Sequence, residues 1–422
     1  MVVYAQEFEL KERQLKKLNE LLIFVKSHNE FYHKKLQNIT LPLRSLEEIT
    51  TLPFTTKKEL VDDQKKHPPY GQNHSYPLEE YVRYHQTSGT TGRPLKILDT
   101  KKTFDWWETC WIEVYRSSGV TKKDHIFLAF SFGPFIGFWA AFEAAKRLGA
   151  LVISSGSQSS VERLRNMMEN QATVLLCTPS YALHLAEVAK ENGIDIQNSP
   201  VRTIITAGEP GGSVPSTRNQ IESLWGARLY DHVGMTEMGA YGYSCSEQNG
   251  LHINESEFIA EVIDPKTLKP VAIGEKGELV LTNLGRDGYP ALRYRTGDMV
   301  IRSNKKCPCG NPYQFLPEGI IGRADDMVVI RGINIYPSSI ESIIREYSEV
   351  KEFRIVYYTE NEMDQIKVEI ESNSDEIVPS LATKLRERIG LRIQVEKVPD
   401  NHLPRFTMKA KRVVDKRSKR VS

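Results

Sequence analysis

Residues 126–130 read Ile-Phe-Leu-Ala-Phe and residues 174–177 read Val-Leu-Leu-Cys. Both are short, continuous apolar runs. Each precedes a longer segment of helical periodicity, Phe138 to Leu148 after the first and Tyr181 to Asn192 after the second. The pattern recurs as Leu151-Val-Ile153 with Val161 to Glu169, and as Val201 to Thr206 with Val214 to Trp225. Short buried strands alternating with helices imply βαβ units and a parallel sheet. The fold class read from this stretch is α/β.

Working outward, Glu7 to Leu36 reads as helix, with Leu15, Leu18, Leu21, Leu22 and Val25 on one face. Leu43 to Lys66 continues as short helices, with a Thr-Thr cap before Lys57. Tyr84 to Leu98 suggests strand, loop, strand. Thr103 to Ser118 is helical and carries Trp106, Trp107 and Trp111. Beyond Glu257, Phe258 to Ile263 and Gly277 to Leu281 read as antiparallel strands. From Asp325 onward a strand–helix–strand–strand–helix order predicts a compact α+β unit. The expected organisation is a large N-terminal part over 1–323, with a β-rich subdomain over about 240–323, and a C-terminal lid over 324–422.

The chain has 422 residues, 40% hydrophobic and 26% charged, with a formal net charge of +2. That excludes a disordered chain, and it gives no case for nucleic-acid binding. The N-terminal segment has charges throughout and no apolar h-region, so no signal peptide is expected. No run of 18 uncharged apolar residues predicts a membrane span. Five cysteines without a secretory signal point to reduced thiols and a cytoplasmic protein. The near-neutral total hides a basic end: from Arg405 there are eight Lys or Arg and one acid, Asp415.

The strongest local signal is Thr87-Ser88-Gly89-Thr90-Thr91-Gly92-Arg93-Pro94-Leu95-Lys96. Its glycines allow sharp turns and exposed N–H groups. Its hydroxyls, with Arg93 and Lys96, add donors, which is the chemistry of a polyphosphate cradle. It is not the GxxxxGK[ST] pattern of P-loop enzymes. An arbitrary surface turn rich in Thr, Ser and Gly would offer the same groups.

This string resembles the phosphate-binding signature of the acyl-adenylate-forming superfamily. Further matches follow in order: Thr206-Ala-Gly-Glu-Pro210, Tyr230 to Gly239, Tyr294-Arg-Thr-Gly-Asp298, Gly322 to Gly332, and Leu403 to Lys411. Within the superfamily the chain is most similar to phenylacetate-CoA ligases. The Cys307-Pro-Cys-Gly310 insertion and the segment Ile333 to Glu341 carry that likeness.

The resemblance implies an acid attacking the α-phosphorus of ATP, then transfer to CoA. Thr87, Ser88, Gly89, Thr90, Thr91, Gly92 and Lys96 would meet the β- and γ-phosphates. Ala207, Gly208 and Glu209 would flank the adenine, with Tyr230 offering a flat face and Asp231 beside it. Thr236 would reach the α-phosphate, and Glu237 would hold Mg²⁺, a hard ion that takes carboxylate oxygen. Asp298 has oxygens for both ribose hydroxyls, with Arg323 nearby. Lys409 would neutralise charge between the α-phosphate and the attacking carboxylate. Met408 stands where the resemblance expects glycine. Asp325 matches the hinge position, and Arg331 and Gly332 would line the CoA tunnel.

Two readings concern other residues. Cys245, His252, Cys307 and Cys309 form a Cys₃His set suited to a structural Zn²⁺; reduced thiols are the alternative. Cys110 and Cys177 read as core. By analogy the acyl pocket would include Phe132, Phe135, Phe138, Gly234 and Tyr241. An aromatic wall favours an aryl or arylacetic acid, although the same phenylalanines suit a plain core. His232 would either meet the adenylate or buttress its loop.

The function expected is an ATP-dependent, AMP-forming carboxylate–CoA ligase acting on an aromatic acid. The alternative keeps adenylation and transfers to a carrier-protein thiol or an amine. The basic tail is a candidate dock for an acidic carrier protein, and a homodimer is a candidate assembly. A noncatalytic nucleotide-binding protein is disfavoured by Lys96, Glu237, Asp298 and Lys409 together. A polyanion-binding tail on another fold explains nothing upstream of Arg405.

Overall fold

A computed structural model describes residues 7–87, 94–130, 132–134, 136–209, 211–324, 326–330, 333–360, 363–406 and 411–417. Among these, the N-terminal segment forms α1 (Glu7–His28), α2 (Glu30–Leu36) and α3 (Lys57–Lys66). The single helix expected over 7–36 breaks at Asn29. Its side chain accepts the Tyr32 N–H at 3.0 Å and caps α2. Asparagine competes with helical backbone bonding in this way. The Thr56–Glu59 capping box starts α3.

A two-stranded hairpin, β1 (Tyr81–Gln86) and β2 (Lys96–Thr100), holds the Ser/Thr/Gly loop. The chain then runs through α4 (Lys101–Ser117), β3 (His125–Leu128), α5 (Ile136–Leu148), β4 (Leu151–Ser154) and α6 (Ser160–Glu169). It continues through β5 (Val174–Cys177), α7 (Pro179–Glu191), β6 (Thr203–Thr206), α8 (Pro215–Trp225) and β7 (Arg228–Met235). Strands β7, β6, β5, β3 and β4 lie side by side and parallel, as the apolar runs require. Next come β8 (Gly239–Tyr243), β9 (Leu251–Ile253), β10 (Phe258–Ile263), β11 (Lys276–Asn283), β12 (Tyr294–Ile301), β13 (Phe315–Leu316) and β14 (Gly322–Arg323). Strands β8, β9 and β13 extend the large sheet antiparallel, so the separate four-stranded sheet β10-β11-β12-β14 begins at Phe258.

The C-terminal part holds the pair β15 (Val328–Ile330) and β16 (Ile333–Ile335), then α9 (Pro337–Ile344), β17 (Val350–Glu360), β18 (Met363–Ser372), α10 (Ile377–Ile389), β19 (Gln394–Val398) and β20 (Val413–Asp415). Strands β19 and β20 add parallel edges to the β17–β18 pair. Sequence reading had no strand at either place. Both are short and interleaved with charge, and only pairing with a formed neighbour makes them strands.

One core lies between the large sheet, α4, α5 and β10–β12, and a second lies on the sheet's other face under α6, α7 and α8. The C-terminal part has its own core around β17, β18, α9 and α10. Cys110 and Cys177 are buried, and burial pushes both thiols up. Trp225 is fully buried and donates its indole N–H to the Ala182 carbonyl at 3.0 Å. Trp225→Ala is expected to destabilise the protein by about 3–5 kcal/mol, read as a lower urea midpoint.

Candidate active site

The neck of the Ser/Thr/Gly loop is closed by two bonds. The Thr87 N–H reaches the Leu95 carbonyl and the Leu95 N–H reaches Thr87 Oγ1, each at 3.0 Å. Gln64 on α3 clamps the Lys96 peptide, accepting its N–H at 3.0 Å and donating to its carbonyl at 2.5 Å. The Lys96 ammonium lies 5.9 Å from the Tyr70 ring centroid. Ser88, Gly89, Thr90, Thr91, Gly92 and Arg93 lie outside the described residues, as do Phe135, Asp325, Arg331, Gly332, Met408 and Lys409.

The C-terminal ends of β5, β6 and β7 carry the next group. The Ala207 N–H bonds the Cys177 carbonyl at 3.2 Å, and Gly208 turns the chain with φ +91°. Glu209 accepts the Ser180 N–H at 2.8 Å and the Ser180 hydroxyl. Asp231 accepts the Thr206 hydroxyl at 3.2 Å and the Ser213 hydroxyl at 2.5 Å. Burial lifts its carboxyl to about 6 against these bonds. A Cβ on Gly212 would fall 2.3 Å from Thr206 Oγ1 and 2.4 Å from Asp231 Oδ1, so only glycine fits. Tyr230 is 7% exposed and packs in the core beside the large sheet. The Arg228 guanidinium lies 5.8 Å from its ring centroid.

Thr236 and Glu237 sit in the turn closed by the Met238 N–H to the Met235 carbonyl at 3.1 Å. Glu237 is buried, and its Oε1 takes the Tyr294 hydroxyl at 3.3 Å and the Lys57 ammonium at 3.2 Å. Burial, reinforced by this carboxylate, pushes the Tyr294 hydroxyl far above its ordinary range. Asp298, four residues along β12, accepts the Tyr241 hydroxyl at 2.9 Å on Oδ2 and faces Arg323 Nη1 at 3.2 Å on Oδ1. The Thr236 carbonyl accepts Arg286 Nη1 at 2.7 Å. Arg286 in turn forks onto Asp99, through Nε at 2.8 Å and Nη2 at 2.5 Å. Thr236, Glu237, Asp298 and Arg323 are thus gathered around β12.

Sequence reading missed Lys57, Asp99 and Arg286. A signal existed for two of them. A lysine at the first position of a helix opposes the macrodipole, which points to an acid partner elsewhere. An aspartate inside the strand Ile97-Leu98-Asp99 requires a buried counter-charge.

The acyl-pocket residues divide. Phe132 packs on Trp139 and Phe142 with centroids 4.8 and 5.8 Å apart, and Phe138 stacks on Phe130 at 3.8 Å. Tyr241 is fully buried with its hydroxyl on Asp298. Its strand, β8, is buried throughout, and a buried phenol takes the acceptor within reach. Gly234 belongs to the β7–β8 hairpin, where a Cβ would fall 2.8 Å from the Gly239 carbonyl oxygen. His232 buttresses that hairpin, donating from Nδ1 to the Gly242 carbonyl at 2.9 Å and packing on Trp111 at 4.3 Å. Burial lowers its pKa to about 4, so the ring is neutral at pH 7.

The four cysteine and histidine residues do meet. Cys245 Sγ is 3.6 Å from Cys307 Sγ, and Cys309 Sγ is 3.5 Å from His252 Nε2. All four donor atoms lie within 4.8 Å of one another. A tetrahedral zinc with Zn–S of about 2.3 Å and Zn–N of about 2.0–2.1 Å gives donor spacings of about 3.5–3.8 Å. His252 Nδ1 bonds the Tyr313 carbonyl at 3.3 Å and so turns Nε2 toward the sulfurs. The donor set and its spacing fit zinc. Among the described residues no helix is long and apolar enough to cross a membrane.

Comparison with known proteins gives these features a family. Residues 21–285 match the AMP-binding enzyme model, and residues 332–417 match the AMP-binding enzyme C-terminal domain. The chain is 32% identical to a phenylacetate-coenzyme A ligase of Pseudomonas putida, over 89% of this chain and 86% of that one. It is 29% identical to the Thermus thermophilus phenylacetate-coenzyme A ligase, over 99% and 100% respectively. It superposes on 2-hydroxyisobutyryl-CoA ligase in the postadenylation state with 2-HIB-AMP at a TM-score of 0.91 and 30% identity, covering 97% of this chain and 90% of that one. The same ligase in the thioesterification state, with 2-HIB-AMP and CoA, gives a TM-score of 0.74 at 31% identity, covering 98% and 91%. The chain belongs to the AMP-binding enzymes and, within them, to the phenylacetate-coenzyme A ligase family of AMP-forming acid–CoA ligases.

Proposed function

We propose that the protein activates an aromatic carboxylic acid with ATP and passes the acyl group to CoA. In the first half-reaction a carboxylate oxygen bonds the α-phosphorus and the bond to pyrophosphate breaks. In the second, the CoA sulfur bonds the acyl carbon and AMP leaves. The observation that carries this reading is the pairing on β12. Tyr294 supports Glu237, and four residues along the same strand Asp298 stands between Tyr241 and Arg323. A carboxylate for a metal–phosphate group and a carboxylate for a ribose are thereby both tied to β12, one through Tyr294 and one at Asp298 itself.

Glu237 supplies the hard oxygen that Mg²⁺ prefers, and its buried carboxylate already balances a cation, Lys57. When bound, Mg²⁺ would neutralise phosphate charge. Thr87 holds the mouth of the phosphate loop and Lys96 stands at its exit. Lys409 is assigned to the α-phosphate by its place in the C-terminal motif. The higher superposition on the postadenylation form supports a lid turned toward the nucleotide. In this orientation Ser338 Oγ donates to the Ile321 carbonyl at 2.5 Å and the Lys276 ammonium lies 3.8 Å from the Tyr336 ring centroid. Rotation about Asp325 would release both contacts and bring Arg331 and Gly332 to the thiol arm.

The aromatic acid is favoured by the Phe132–Trp139–Phe142 group and by the names of the curated relatives. Pyrophosphate exchange across arylacetic, aryl and short 2-hydroxy acids, with CoA, holo-carrier protein and amines as acceptors, tests it. Arylacetic acids with CoA are expected to give the highest kcat/KM. Preference for a 2-hydroxy acid would overturn the acid class, and exchange without CoA thioester would overturn the acceptor. Lys409→Ala is expected to lower exchange by at least about 100-fold with nucleotide affinity retained; normal exchange would sink its role.

The cysteine–histidine cluster is proposed as a closed structural zinc site. Elemental analysis is expected to find about one zinc per chain, and chelation is expected to lower the melting temperature. Metal-free protein with an unchanged melting temperature would remove the site.

A further inference from the structure

We propose that Arg286 is a positioning residue for adenylation, acting through the peptide that joins Thr236 to Glu237. The inference rests on the reading of Thr236 and Glu237 as the groups that meet the α-phosphate and Mg²⁺.

Arg286 is fully buried and every part of its fork is committed. Nε and Nη2 bond the two oxygens of Asp99, and Nη1 bonds the Thr236 carbonyl at 2.7 Å. The Thr103 hydroxyl adds a third donor to Asp99 Oδ1 at 2.9 Å. The rings of Trp107 and Tyr289 stand 5.2 and 5.7 Å from the guanidinium carbon. The backbone beside it is equally confined. A Cβ on Gly285 would fall 2.2 Å from Trp106 Cδ1, and Trp106 is held by its indole N–H on Glu257 at 2.7 Å.

The pinned carbonyl is the one that matters. In the turn from Met235 to Met238, Thr236 and Glu237 are the two central residues. The peptide between the central residues of a β-turn is the unit whose reversal converts type I to type II. That reversal changes φ of the second central residue from about −90° to about +80°. Glu237 is a residue that resists positive φ. The N–H from Arg286 adds to that preference and fixes the peptide on which Glu237, bonded to Tyr294 and Lys57, is mounted.

Asp99 gives the pair a second end. It lies on β2, three residues after Lys96, on the strand leaving the phosphate loop. The ion pair thus ties the strand that follows the phosphate loop to the turn that carries Glu237. A lysine could still face Asp99 but has no fork with which to reach Thr236 as well.

The test uses Arg286→Lys in the full-length protein. ATP affinity is measured by calorimetry, and binding of Mn²⁺ to the protein with a non-hydrolysable ATP analogue is followed by electron paramagnetic resonance. Exchange kinetics are recorded in parallel. We expect ATP affinity to change less than about threefold, Mn²⁺ affinity to fall about tenfold, and exchange kcat to fall about 10–100-fold, as misplacement by an ångström produces. Wild-type Mn²⁺ affinity and kcat would overturn the proposal. A parallel loss of ATP affinity, kcat and melting temperature would also overturn it, by reducing Arg286 to structural support. Glu237→Gln is the control: if it keeps full Mn²⁺ affinity, the reading of Glu237 fails and not the role of Arg286. If Arg286→Lys does not fold, Asp99→Asn, which loosens the same tether, is expected to lower Mn²⁺ affinity in the same direction. Folded Asp99→Asn with wild-type Mn²⁺ affinity would overturn the proposal.

Discussion

Asp99 and Arg286 are both removed entirely from water, and their contact joins β2 to the turn that carries Thr236 and Glu237. Taking two charges into the interior is costly, and attraction offsets the cost only when the remaining hydrogen-bonding groups are also satisfied. Here they are: Thr103 completes the carboxylate, and the Thr236 carbonyl takes the spare guanidinium N–H. Losing one partner of such a pair costs about 3–5 kcal/mol, because the other charge stays buried and alone.

Around this link, each carboxylate of the site has partners of its own. Asp231 has Thr206 and Ser213, Glu209 has Ser180, Glu237 has Tyr294 and Lys57, and Asp298 has Tyr241 and Arg323. Such groups need little rearrangement when a ligand arrives, which is the basis of electrostatic preorganisation. Lys57 differs from the rest. It is held in place by the capped start of α3 and by the Thr55 bridge to Tyr294, so the first residue of that helix presents a cation to the central carboxylate.

Much of this was legible in the chain. The alternation of apolar runs and helical segments from Ile126 to Trp225 reports a parallel sheet because burial on both faces removes polar residues from the strands. The motifs carrying Thr236, Glu237, Asp298 and Arg323 named residues that the fold gathers about one strand. Cys245, His252, Cys307 and Cys309 were legible as a set because ligand chemistry restricts the residue types. Other features were silent. Strands β19 and β20 carry no pattern of their own.

By itself the sequence determined the α/β class, the order of most elements, the family and the residue types of the site. These depend on periodicity and on motifs of contiguous residues. Only the tertiary structure decided which side chain answers which. It gave the Tyr241 hydroxyl to Asp298, 57 residues away, and the Arg286 fork to Asp99, 187 residues away. The physical reason is that a buried polar group must find its partner in space, and spacing along the chain carries no record of where that partner lies.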